Sequence, residues 1–157
     1  MTRFLLGPAF FFAALLGQLL LSAAWPSSLV FFDLPLLVVL YYALDRGPTV
    51  GSILGAAVGL VQDSLTQSLL GTGAVARCVV GYMVGAAGTR FVLTRPLPQL
   101  LVAAGGTLAV RSLELLTLIV MGRQLALPSA LDLLAGAVGN GVVGGALFAI
   151  LRRESAS

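Results

Sequence analysis

The sequence predicts an all-α, polytopic membrane protein, a compact bundle of six transmembrane helices with both termini on the cytoplasmic side. Composition is the first reason. Hydrophobic residues make up 59% of the chain and charged residues 10%, with a mean hydropathy of +1.05, where a soluble domain carries about 25% charged residues. Punctuation is the second. Proline, glycine and charge divide the chain into six apolar spans at about 4–24, 28–44, 48–64, 69–89, 97–121 and 129–151. The third is charge bias. Arg3, Arg46, Arg90, Arg95, Arg152 and Arg153 fall on one side of such a bundle and only Arg123 on the other, and arginine is enriched in loops kept in the cytoplasm. The 157 residues leave no length for a soluble domain, so residues 1–157 form a single integral membrane domain with short connections.

The first span, FLLGPAFFFAALLGQLLLSAAW, has a lone Arg3 before it and ends in small residues, as a signal peptide does. It exceeds the usual apolar core of about 7–15 residues, and Trp25-Pro26 makes an interfacial anchor, so retention is expected over cleavage. Phe10, Phe11 and Phe12 are expected to face lipid. The second span runs to Tyr41 and Tyr42, which mark the inner interface. The third is short for a crossing, but it has helical period and must place Arg46 and Arg90 on the same side. The fourth carries Arg77, and the fifth carries Arg111 and Glu114. The sixth holds Asn140 among Gly136, Gly141 and Gly145 and ends on a basic pair.

The segment 51–85 combines glycine rows with charge. Gly51, Gly55, Gly59 and Asp63 are four apart, as are Gly73, Arg77, Gly81 and Gly85, so each row lies along one side of a helix. Glycine lets a neighbouring backbone approach closely in a membrane. Two uses are open: packing among the chain's own helices, or a face for another protein's transmembrane helix, for which Gly51, Gly55, Gly59, Gly73, Gly81 and Gly85 are the candidates.

Counting along the helices puts the embedded charges in the outer half of the bilayer. Arg77 and Glu114 fall at similar depth, Arg111 is one turn deeper, and Asp33, Asp63 and Asp132 lie toward the outer ends. An isolated Arg or Asp at a helix centre costs about 2.5–3.5 kcal/mol on insertion scales. A buried polar network of Asp63, Arg77, Arg111, Glu114 and Asn140 is therefore expected, with Arg77 paired to Glu114. The alternative is snorkelling of the arginines to the headgroups.

Several functions are disfavoured. The pI of about 9.8 comes from arginines that flank apolar runs rather than forming a patch, which argues against a nucleic-acid partner. With no histidine, no cluster of metal ligands and no nucleophile beside a base, neither an enzyme nor a cofactor is expected. Cys78, alone within an apolar run, is read as a packing residue.

Between Leu34 and Gly85 the chain carries, in order, PLLVVLYYAL, Arg46-Gly47, the Gly55 and Gly59 spacing before Asp63, Leu70-Gly71, Ala74 and Gly81-Tyr82. In this series it resembles the rod shape-determining protein MreD family of bacteria. The segment AVGNGVVGGALFAILRR is similar to the family's last helix. Arg77 departs from it, standing where an uncharged residue is expected, and so does Gln67, where a small residue is common.

The resemblance implies a non-catalytic scaffold subunit of the cell-elongation machinery, multi-pass in the bacterial inner (plasma) membrane. Its implied partners are the transmembrane helix of MreC and, through it, RodA, its penicillin-binding transpeptidase and MreB, in the organisation of lateral peptidoglycan synthesis. Family members resemble the fold of the substrate-binding components of energy-coupling-factor vitamin transporters, which supplies the alternative function. Against that alternative, the first helix lacks a clear series of alanines at four-residue spacing, and the outer connections are too short for an obvious lid.

Overall fold

The computed structural model describes residues 16–18, 20, 33–65, 69–90, 96–122 and 130–156. Most of the first span lies outside these, as do its candidate cleavage point, Trp25-Pro26 and the side chains of the terminal arginines. The described residues are helical apart from turns. After helical residues 16–18 and 20 come α1 (Leu34–Arg46), α2 (Pro48–Leu65), α3 (Thr72–Arg90), α4 (Pro96–Val120) and α5 (Ala130–Ala156).

Helix α1 begins at Leu34, later than the expected span start at 28, because Asp33 caps it. The Asp33 carboxylate accepts from Leu36 N at 3.1 Å, and Pro35 follows in the first turn, where a missing N–H is harmless. The helix ends at Gly47, whose φ of 89° breaks helical geometry at little steric cost. Pro48 then opens α2. At 13 residues, α1 is about 20 Å long. It is also the innermost helix, with Pro35, Leu36, Leu37, Val38, Val39, Leu40 and Ala43 all buried, and all four other helices touch it.

Helices α2 and α3 pack along their length through the two glycine rows. A Cβ on Gly51 would run into the backbone of Gly81, one on Gly55 into Arg77, one on Gly59 into Ala74 and one on Gly85 into Gly47 and Pro48. Of the two uses open to these glycines, packing among the chain's own helices is the one seen in these contacts. Their bare faces are already filled, each by the other helix, and backbone contact this close leaves no groove for a third helix.

The α4–α5 pair is built on the same device. Gly141 lies against Ala104 and Leu100, and Gly144 against Ala103 and Leu37 of α1. Gly106 of α4 lies against Leu40. Below these contacts Leu36, Leu40, Ala76, Val80, Val110 and Phe148 form one apolar cluster drawing on α1, α3, α4 and α5. At its edge, Tyr41 packs on Phe148 with ring centroids 5.6 Å apart.

The exterior is as apolar as the interior. Ile53, Leu101, Leu131 and Val120 are 63%, 61%, 77% and 78% exposed, a surface suited to lipid contact and unlike that of a soluble monomer. Among the described residues two stretches, Leu97–Val120 and Leu131–Phe148, are long and apolar enough to cross a bilayer. Where lipid is as apolar as leucine, helices associate through close packing and hydrogen bonds. That explains why glycine and alanine line the closest of the helix contacts.

Candidate functional site

Asp33 is the centre of the buried polar groups, and its surroundings follow from its place at the start of α1. The carboxylate is 2% exposed and partly balanced by the positive end of α1. Its Oδ2 lies 2.7 Å from Arg77 Nη2. Its backbone N–H donates to Asn140 Oδ1 at 3.0 Å, and the next amide, Leu34 N, donates to Gln18 Oε1 at 3.3 Å. Amides at a helix start have no intrahelical partner, and here side chains distant in sequence supply two of them.

Arg77 reaches this site from the second turn of α3. Its side chain is 2% exposed, so it does not snorkel. While Nη2 holds Asp33, Nη1 donates to Glu114 Oε1 of α4 at 2.8 Å. The planar fork of arginine allows two carboxylates to be held at once by separate nitrogens. Nε is buried and has no hydrogen-bond partner among the described residues. Glu114 is 18% exposed, and its other oxygen lies 3.5 Å from Arg111 Nη1, one turn earlier on the same helix.

Asn140 ties in the fifth helix. Besides accepting from Asp33 N, it donates through Nδ2 to Thr107 Oγ1 at 3.1 Å. Thr107 in turn donates to Ala103 O at 2.8 Å within α4. Asn140 is 1% exposed, and one amide thus joins α1, α4 and α5.

Asp63 closes the other end of the same region. At the end of α2, its Oδ2 accepts from Gly71 N at 2.8 Å and from Gly73 N at 3.1 Å. An anion at the start of α3 is favoured by the free amides and the helix dipole. Gly73 is required by the crowding here: a Cβ would collide with Asp63 Oδ1 and Arg77 Nη1. Gly71, with φ 102°, makes the turn into α3.

The structure therefore brings Arg77, Glu114 and Arg111 into one chain of contacts and places Asn140 beside Asp33. Asp33 was not among the expected members of this network. Its signal was present in Asp33-Leu34-Pro35, an N-cap followed by proline. Thr107 and Gln18 carried no comparable signal. Chemically, the site neutralises charge and binds helices to each other. Among the described residues no group of three or more His, Cys, Asp or Glu could hold a metal ion.

No curated protein and no solved structure matches this chain. A family model for rod shape-determining protein MreD matches residues 1–134, a stretch that includes every charged member of the polar hub. On that match the chain belongs to the rod shape-determining protein MreD family, a membrane protein family with a role in determining rod shape.

Proposed function

We propose that this protein is a non-catalytic scaffold of the bacterial cell-elongation machinery, crossing the inner membrane six times with both termini in the cytoplasm. It binds the transmembrane helix of MreC and, through it, helps to organise lateral peptidoglycan synthesis by RodA and its penicillin-binding transpeptidase along MreB. Family membership carries this reading. The charges support it: Asp33, Arg77 and Glu114 are engaged with one another between helices, which suits a rigid membrane frame.

The glycine rows are filled from within, so the partner helix meets an outward-facing surface instead. On α3 that surface presents Val75, Val79, Tyr82 and Met83, spaced to lie along one side of the helix.

Purification from the native membrane in mild detergent, with identification of the co-purifying chains, tests the reading. Recovery of MreC or of wall-synthesis enzymes is the expected result. Recovery of an ATPase pair with a large membrane subunit, or tight binding of a vitamin, would instead establish the transporter alternative.

A further inference from the structure

The end of the bundle away from Asp33 holds a different kind of site. There the last two turns of α1, the first turn of α4 and the C-terminal half of α5 enclose a cleft of about 220 Å³, lined by Tyr41, Leu44, Asp45, Gln99 and Phe148, with room for one water-sized group. Gln99 and Phe148 are buried, whereas the Asp45 side chain is 60% exposed. Among the acids whose side chains are described, Asp45 alone stands at this end; Asp33, Asp63, Glu114 and Asp132 lie toward the other. Its own chain serves it poorly. An acid in the last turn of a helix meets the negative end of the dipole, and its ion pair with the adjacent Arg46, Oδ2 to Nε at 3.8 Å between exposed side chains, is worth little. The Arg46 guanidinium lies over the Tyr42 ring, 5.7 Å from its centroid, and Tyr41 and Tyr42 mark the membrane–water boundary. A carboxylate and a guanidinium thus stand side by side where lipid headgroups lie.

We propose that this cleft binds the headgroup of a phospholipid bearing a primary ammonium, of the phosphatidylethanolamine kind, with the ammonium in the cleft beside Asp45 and the phosphate on Arg46. Size and charge both select it. A primary ammonium is about as large as a water molecule and brings three N–H donors with its charge, so it fits the free space and offsets the acid that the α1 dipole disfavours. The rings of Tyr41 and Phe148 in the cleft wall add attraction for a cation. A trimethylated headgroup is too large for that space and donates no hydrogen bond. A headgroup with a phosphate and no amine brings a second negative group to Asp45. The site requires only that this end of the bundle lies at a membrane surface, so it stands apart from the scaffold reading.

Native mass spectrometry tests it, on the full chain delipidated in mild detergent and mixed with phosphatidylethanolamine, its mono-, di- and trimethylated forms and phosphatidylglycerol, all of one acyl composition. The primary amine is expected to be retained about tenfold over the trimethylated lipid, the scale of one hydrogen bond to a charged group, with the other methylated forms graded between. Asp45→Asn should bring that ratio close to one without changing thermal stability, because the side chain is exposed. Arg46→Gln should weaken the zwitterionic lipids alike and keep the ratio. Equal retention of the primary-amine and trimethylated lipids, a preference for phosphatidylglycerol, or an amine preference that survives Asp45→Asn would overturn the site. So would displacement of the lipid by free phosphoethanolamine at the same concentration, which would make the ligand a soluble one. Loss of a co-purifying protein chain in Asp45→Asn, with lipid retention unchanged, would overturn it in favour of a partner's basic side chain.

Discussion

Arg77 and Asp33 form an ion pair at 2.7 Å in which each side chain is 2% exposed, although 44 residues separate them. The pair fixes α3 to the start of α1, and Glu114 joins it from α4. Removing Arg77 therefore leaves the buried Asp33 without its paired cation and Glu114 with Arg111 alone.

Arg77→Ala is expected to destabilise the detergent-solubilised protein by about 3–5 kcal/mol, the range for breaking a buried pair from one side. Arg77→Lys should recover only part of this, since one ammonium cannot reproduce the fork that holds two carboxylates. Chemical or thermal unfolding in micelles gives both values. In double-mutant cycles, coupling of Arg77 to Asp33 should exceed its coupling to the more exposed Glu114.

Asn140→Leu should cost about 1–3 kcal/mol, because it strands the buried Asp33 amide and removes the donor to Thr107. Unfolding of this variant beside Thr107→Val checks it. If the two changes add fully, the bridge is not a unit.

Glycine substitutions should divide sharply by location. Gly55→Ala would press a methyl group into the Arg77 backbone, whereas a Cβ at Gly105 meets nothing within 4 Å. The former should loosen the α2–α3 pair and lower the yield of monodisperse protein. Gly105→Ala should be neutral, or stabilising by up to about 1 kcal/mol through helix propensity. Thermal denaturation of the two variants side by side makes the comparison.

Asp63→Asn should weaken the start of α3 by about 0.5–2 kcal/mol, the usual scale for losing a cap and a favourable charge. Amide hydrogen exchange should quicken at Gly71 and Gly73, with little change in the middle of α3.

Helix positions were legible where chemistry punctuates the chain. Gly47-Pro48 ends one helix and begins the next, Pro96 starts α4, and Gly122 follows its end. The depth argument that put Arg77 level with Glu114 used only rise per residue, and that contact was within its reach. What a helix meets by rotation was not. Four-residue spacing says that Gly51, Gly55 and Gly59 share a side, but the occupant of that side depends on how α2 turns toward α3. Asp33 escaped for a related reason. Read as a residue within a span, it had a depth but no role. As an N-cap its backbone and side chain both become bonding groups, and Arg77 and Asn140 converge on it.

The bond between Asp33 N and Asn140 Oδ1 spans 107 residues, which bears on how the chain is assembled as it leaves the ribosome. Helices α2 and α3 are neighbours in sequence and can pair as soon as both are made. The α1 terminus must wait for α3 to supply Arg77, for α4 to supply Glu114, and for α5 to supply Asn140. A chain that stops short of α5 holds the buried Asp33 amide without its Asn140 acceptor, so the polar centre is completed only when the last helix packs.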